Sequence, residues 1–272
     1  MLTVANFNLH AGVDGWGRPF DYLAACRSLD ADVVVLEEAW TATDGGSGEN
    51  QPEAVARELG GQVITCTLTE GLRASADPEA TGCWKPPQGL HFASNHSLYF
   101  GHERPLPPRL EAASLVRSTE PGEWGIAVVL GPRVTVEDSR ILHFPTLRRD
   151  RARRAAIVVD VTVEGHPISV VGTHMSHLHL GSHRHYAMLR DQLRRQARPD
   201  AVLLGDMNLW GPPVGTLLPE WHRTVKGRTW PAWNPHSQID HILVRGSIRH
   251  LSGEVLPDAG SDHRPVRAVL TL

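Results

Sequence analysis

The sequence predicts an α/β sandwich built on mixed β-sheets. Three observations carry this. Short Val-rich runs bounded by turn residues recur along the chain, helical segments alternate with some of them, and others follow one another through a hairpin-like connection. The mixture of crossovers and hairpins argues against a simple parallel sheet.

The elements follow in order. "LTVANFNL" (Leu2 to Leu9) reads as the first strand, and the helical "RPFDYLAACRSLD" leads into "ADVVVLE" (Ala31 to Glu37). A second helix, "QPEAVARELGG", ends at a glycine pair suited to a C-cap. From about Thr67 to Trp124 the chain is Pro/Gly-rich and irregular, which predicts long surface excursions where specificity often resides. "GIAVVL" (Gly125 to Leu130) is the next strand, and "AAIVVDVTV" and "PISVVGTH" are joined at Glu164-Gly165-His166 as a hairpin. "SHRHYAMLRDQLRRQARPD" is the clearest helix, with Ser182 at its N-cap and a basic last turn before Pro199. "DAVLLGD", "IDHILV" and "PVRAVLTL" complete the set. Neither a repeat nor a low-complexity linker divides the chain, so one domain over 1–272 is expected.

Composition sets the bounds. With 272 residues, 41% hydrophobic and 21% charged, the chain is long enough for a sizeable core and ordinary for a soluble protein. A formal charge of −3 excludes a global basic field, so any nucleic-acid contact has to come from a local patch. No run approaches a membrane span and no secretory leader is apparent. Cys26, Cys66 and Cys83 form neither a disulfide framework nor a zinc knuckle, which suits a reducing, cytoplasmic setting. A monomer is expected. The 16 histidines prompt a search for metal or phosphate chemistry.

That search succeeds at the strand ends. The first strand closes on Asn8 and His10, the second on Glu37-Glu38, and "ISVVGTH" on Thr173 and His174. "AVLLGD" delivers Asp206 and then Asn208, Asp240 opens "IDHILV", and Asp262-His263 precede the last strand. Strand edges at one end of a layered sheet converge on a shared surface, so polar groups at so many of them point to a site. Asn, Asp and Glu oxygens suit Mg²⁺ or Mn²⁺, whereas zinc normally takes more His or Cys. His174 and His263 are left for acid/base work, with Asp240 able to orient one of them. Asp206 and Asn208, at i and i+2, face the same way on extended chain and could hold an attacking water. Together these groups suit phosphoester hydrolysis, which is catalysed mainly by charge and positioning.

"ANFNLH", "VVLEE", "GTHMSH", "LLGDMN", "IDHILV" and "SDHRPV" together resemble the endonuclease/exonuclease/phosphatase family, which includes DNase I, abasic-site endonucleases, inositol polyphosphate 5-phosphatases and neutral sphingomyelinases. The resemblance implies a four-layer α/β/β/α sandwich with the site at one end of two packed sheets. It implies Glu38 as the principal metal ligand with Asn8 and Asp262 around the ion, and Asp206 as the group that activates water. It also implies Asn208 on a phosphate oxygen, His263 paired with Asp240 at the scissile phosphate, and His174 as a second catalytic histidine. Two departures stand out. Glu37 occupies a place where the family often has Gln, so a one-residue slip would exchange it with Glu38. His10 replaces an aspartate carried by some abasic-site enzymes.

Three further features have two readings each. "LRRDRARRAA" (Leu147 to Ala156) carries five arginines around one aspartate. It is either a solvated loop or a phosphate grip, with Arg154 nearest the site as substrate-binding residue. "THMSHLHLGSHRHY" holds His174, His177, His179, His183 and His185, whose spacing raises a zinc hydrolase as an alternative. "GRTWPAWNP" offers Trp230 and Trp233 for packing or for stacking on a base or sugar. The expected activity is Mg²⁺- or Mn²⁺-dependent phosphodiester hydrolysis, with nucleic acid the leading substrate. A phosphatase or phosphodiesterase acting on a small molecule or lipid head group is the alternative, and a non-catalytic binding module the alternative from another class.

Overall fold

The computed structural model describes residues 1–15, 18–43, 47–76, 116–147, 150, 152–177 and 181–272. The chain opens with β1 (Leu2–Asn8), a 3-10 turn at His10–Gly12, α1 (Tyr22–Ser28), β2 (Val33–Ala42) and α2 (Gln51–Glu58). Strands β3 (Gln62–Ala76), β4 (Val116–Leu130), β5 (Val134–His143), β6 (Ala155–Val163) and β7 (His166–His174) follow. The last part contains α3 (His183–Gln196), β8 (Ala201–Asp206), α4 (Gly211–Leu217), β9 (His222–Arg223), β10 (Asp240–Arg245), β11 (Arg249–Val255) and β12 (Val266–Thr271).

The strands form two six-stranded sheets, ordered β11-β12-β1-β2-β4-β3 and β5-β6-β7-β8-β10-β9. Each sheet has one parallel pair, β1 with β2 and β7 with β8, within otherwise antiparallel neighbours. Alternation along the strands explains the layers. Leu2, Val4, Val33 and Val35 from the first sheet meet Ile157, Val159, Val170, Val202 and Ile242 from the second in a dry core between them. Residues on the other face of the first sheet, such as Phe7, Val34 and Leu36, pack with Cys26 and Leu29 around α1 and with Val55 of α2. The outer face of the second sheet does the same with Tyr186, Leu189 and Leu193 of α3. Each such aliphatic side chain removed from water contributes about 1.5–3 kcal/mol, so the alternation fixes both register and layer order. The result is the four-layer α/β/β/α sandwich.

Local signals held in most places. Asp21 caps α1 through Ala24 N–H, and Asn50 caps α2 through Glu53 N–H. Glu164 and Gly165, with φ of 50° and 82°, make the two-residue turn between β6 and β7. Two expectations are corrected. Ser182 stands at the start of α3 but its hydroxyl makes no capping bond. Thr67–Ala76 and Val116–Trp124 are not irregular: they are the far half of a long antiparallel β3–β4 ladder. The rest of that stretch lies outside the described residues. Arg73 in this arm bonds Glu49, Glu120 and the Ala11 carbonyl, which ties the arm to the turn after β1.

Topology then explains why the polar strand ends meet. β1, β2, β7 and β8 run so that their C-termini share one end of the sandwich. β10, β12 and β6 run antiparallel to their partners, so their starts lie at that same end.

Candidate active site

Three neighbouring strands present a row of ionisable side chains. His174 pairs across the ladder with Asp206, and Asp206 with Asp240. From the other sheet come Asn8, Glu37, Glu38 and the turn carrying Asp262 and His263. That turn is fastened by the Ser261 hydroxyl, which donates to the Asn8 carbonyl at 2.7 Å. Backbone strain gathers here: His10, Glu38 and Asn208 all have φ near +50° although none is glycine.

Asp206 is the hub. One carboxylate oxygen accepts from Asn208 N–H at 2.8 Å; the other accepts from the Asn8 amide at 3.3 Å. That second oxygen lies 3.5 Å from His174 Nε2 and 3.9 Å from His263 Nε2. Burial, with Asp240 and Glu38 close by, outweighs the opposing pull of His263 and Asn208 and pushes the Asp206 carboxyl up to about 7.

The two histidines differ. His263 Nδ1 lies 3.0 Å from an Asp240 oxygen. Burial opposes its charge, but Asp240, Asp262 and Asp206 win and hold its pKa well above the ordinary 6.5. His174 falls well below 6.5, through burial first and then Arg154, His263 and His177. Asn208 lies beside His174. Its amide nitrogen donates to the Met175 carbonyl at 2.8 Å and faces His174 Nε2 at 3.2 Å. One amide hydrogen is thus held by a backbone carbonyl and the amide lies against the His174 ring, so Asn208 is placed to keep His174 in orientation.

The Glu37–Glu38 step resolves through a β-bulge. The β2–β4 register shifts between Leu36 and Ala39, and Glu38 takes a φ of 48°. Glu37 points inward along the Val33–Val35 face and is fully buried, with neither oxygen hydrogen-bonded. Burial and the nearby Asp240 and Asp206 drive its pKa far above the usual carboxyl range. Glu38 is turned to the same end, partly exposed, with Oε1 4.0 Å from His174 Nε2. Sequence reasoning weighed these two as a register choice; the bulge gives both a place.

The donor chemistry fits a divalent cation. Glu38, Asp206, Asp240 and Asp262 are four carboxyl groups gathered with one strongly charged imidazole, so a cation would offset their repulsion. Asp206, Asp240 and His263 offer ligand atoms within 4.8 Å of one another, though Asp240 already serves His263 Nδ1. Glu38 accepts no hydrogen bond from the described residues, which leaves its oxygens open. Asn8 keeps Oδ1 near the site while accepting from His10 N–H at 3.0 Å. Asp262 is steadied by Trp230 Nε1–H at 3.3 Å, which gives that ring a structural task. Trp233 is half-buried and packs over Gly15.

Among its described residues, the histidine-rich stretch shows no group of three converging on one ion. His183 is exposed, His185 is buried with Nε2 donating to the Pro145 carbonyl at 2.8 Å, and His179 lies outside the described residues. Of the arginine patch, Arg148, Arg149 and Arg151 also lie outside them, Arg153 is exposed and Arg154 is buried. The lone aspartate, Asp150, accepts from Arg154 Nε at 2.9 Å. That role was legible only as a loop-compatible charge.

Comparison with known proteins agrees with this architecture. The model of the Endonuclease/Exonuclease/phosphatase family matches residues 6–263. An endonuclease/exonuclease/phosphatase family protein from Leptotrichia buccalis superposes with a TM-score of 0.65 at 12% identity, covering 100% of both chains. A mannosyl-6-phosphatase from Bacteroides thetaiotaomicron does so at 0.64 and 16% identity, again over 100% of both. Truncated Caenorhabditis elegans TDP2 gives 0.57 at 12% identity, over 100% of this chain and 97% of that one. No curated protein matches the chain.

Proposed function

Because the chain belongs to the endonuclease/exonuclease/phosphatase family, a family of phosphoester hydrolases, we propose that it is a Mg²⁺- or Mn²⁺-dependent phosphodiesterase that attacks phosphorus with an activated water, nucleic acid being the leading substrate. One observation carries the reading. A single buried carboxylate, Asp206, lies 3.5 Å from His174 Nε2 and 3.9 Å from His263 Nε2 and accepts from the Asn8 amide and Asn208 N–H, with burial pushing its pKa up to about 7. A base poised near the working pH is the most effective proton acceptor.

In this mechanism Asp206 takes one proton of the attacking water as its oxygen bonds to phosphorus, the ester P–O bond breaks, and the leaving oxygen is protonated and released as the alcohol. His263, charged through Asp240, donates to the phosphate oxygen on which negative charge grows, a contact that strengthens as the reaction proceeds. Arg154 grips a non-bridging oxygen, and Asn208 keeps His174 aligned against Asp206. Glu38, Asn8 and Asp262 would hold the cation, whose chemistry is to neutralise phosphate charge and lower the pKa of a bound water. The absence, among the described residues, of a helix long and apolar enough to cross a membrane agrees with a substrate reached from water.

The test is a hydrolysis screen over single- and double-stranded DNA, RNA, inositol phosphates, sugar phosphates and sphingomyelin. EDTA is expected to abolish turnover and Mg²⁺ or Mn²⁺ to restore it. Full activity in EDTA, or rescue by Zn²⁺ alone, would overturn the metal assignment; turnover confined to monoesters would overturn the substrate class.

A further inference from the structure

Arg154, at the entry to β6, ends a buried polar chain whose other members have no part in the mechanism above. Asp150 is 7% exposed, Arg154 8%, Ser176 0% and His185 1%. Asp150 accepts from Arg154 Nε at 2.9 Å, from Arg154 Nη2 at 3.4 Å, from Ala152 N–H at 3.2 Å and from the Ser176 hydroxyl in a short bond. Behind the serine, His185 Nδ1 sits 3.3 Å from Ser176 Oγ, while its Nε2–H donates to the Pro145 carbonyl. The imidazole also lies against Phe144, with ring centroids 5.4 Å apart. The Arg154 backbone is fixed by Phe144 N–H at 2.9 Å. The described residues around the guanidinium are therefore linked to one another: Asp150 and Ala152, Ser176 just after β7, and His185 in the first turn of α3.

Two facts give this chain a direction. Ala155 follows Arg154 directly and opens β6, where Ala156 pairs with Thr173, so Arg154 stands beside the His174 end of β7. Its positive charge is felt at His174. Asp150 occupies the Nε and Nη2 side of the guanidinium, and no described residue holds Nη1. A bidentate carboxylate on one edge sets the plane of the guanidinium and leaves the other edge to point at an anion.

We propose that Asp150, backed by Ser176 and His185, is a positioning residue that aims Arg154 Nη1 at a non-bridging oxygen of the substrate phosphate. The assignment rests on the phosphoester reading above and extends it to groups with no contact to substrate. The alternative is that the four residues merely close the loop over α3. The two roles separate by coupling: a purely structural Asp150 destabilises the protein whether or not Arg154 is present, whereas a positioning Asp150 acts only through Arg154.

The experiment is a double-substitution cycle read by steady-state kinetics with Mg²⁺ and by calorimetric binding of inorganic phosphate. Asp150→Asn is expected to raise KM and weaken phosphate binding by about 10-fold or more, with a smaller change in kcat. In an Arg154→Ala background the same substitution is expected to change kcat/KM by less than about twofold. Ser176→Ala, which leaves the ion pair in place, should move the same quantities in the same direction by a smaller factor. It carries the cycle if thermal unfolding shows Asp150→Asn to be misfolded. Unchanged KM and phosphate affinity in the single variants, or equal losses in both backgrounds, would overturn the proposal. Lack of any phosphoester turnover by the unmodified protein would instead sink the activity, while phosphate binding still decides the role of Asp150.

Discussion

His174 and His263 flank the same carboxylate from opposite sheets, each with a side chain only 7% exposed, and they end in different charge states, one neutral and one positive. Burial alone would discharge both imidazoles. The difference lies in the charges around each ring: Asp240, Asp262 and Asp206 overcome burial at His263, whereas Arg154 adds to it at His174. β10 begins with Asp240, which sits on His263 Nδ1, whereas the entry to β6 brings Arg154 toward His174. The scaffold supplies two equally dry positions, and the carboxylates gathered around His263 make it the proton donor of the two. Asp206, between them, faces a charged imidazole on one side and a neutral one on the other.

Removing the centre of this arrangement is the harshest way to break it. Asp206→Asn and His263→Ala are each expected to cut metal-dependent turnover by roughly 10² or more. Circular dichroism should show both variants folded, because neither side chain supports a hydrophobic layer; near-normal rates in either would remove the basis for its role.

Asp240→Asn sharpens the comparison, since it makes the surroundings of His263 more like those of His174. The raised pKa of His263 should fall toward or below 6.5, so protonated enzyme is lost at lower pH than in the unmodified protein. The alkaline limb of the rate profile is expected to move down, with about 10-fold less activity near neutral pH. The stability linkage has a definite sign. A raised histidine pKa stabilises the folded state below the unfolded value of 6.5, and the gain is lost as pH rises through the folded pKa. Asp240→Asn should therefore lose more stability at pH 6 than at high pH. Proton NMR of the imidazole Cε1–H signals checks the direction.

The mildest effect is expected beside the site. Glu37 is fully buried with both oxygens unpaired, and its folded pKa is raised well above 4.5. Its contribution is present below the unfolded value and lost as pH rises toward the folded one. Glu37→Gln removes this titration, so it should raise Tm by a few degrees at pH 8, on the order of 1 kcal/mol, and by less at pH 5. A Tm gain independent of pH would show that Glu37 is not carrying a proton in the folded state.

Most of the site was readable because strand ends are marked by chemistry. Asn8, His174, Asp206, Asp240, Asp262 and His263 each interrupt or border a run of apolar residues, and sheet topology alone brings such ends together. Three features resisted reading for physical reasons. The Glu37–Glu38 bulge depends on a positive φ at Glu38, which residue type does not announce. The β3–β4 arm looked irregular because Pro121-Gly122 is a strong turn signal. Yet Pro121 lies just beyond the last β2 pair, at Ala42 and Gly122, where it pairs with β3 and needs no donor of its own: its carbonyl accepts from Thr43 N–H at 3.1 Å. A Cβ on Gly122 would approach the Trp40 ring at 2.3 Å, so this glycine serves close packing and not a turn. Asp150, finally, was one acid among five arginines, and nothing local distinguishes a solvated charge from one buried by a loop folding over a distant helix.

The central claim, that water held at Asp206 attacks phosphorus, is tested most directly by hydrolysis in H₂¹⁸O. With Mg²⁺ and a phosphodiester substrate, the account predicts one ¹⁸O in the phosphate product and none in the released alcohol, with the labelled product lost in Asp206→Asn. Label in the alcohol, or undiminished labelled phosphate from Asp206→Asn, would contradict it.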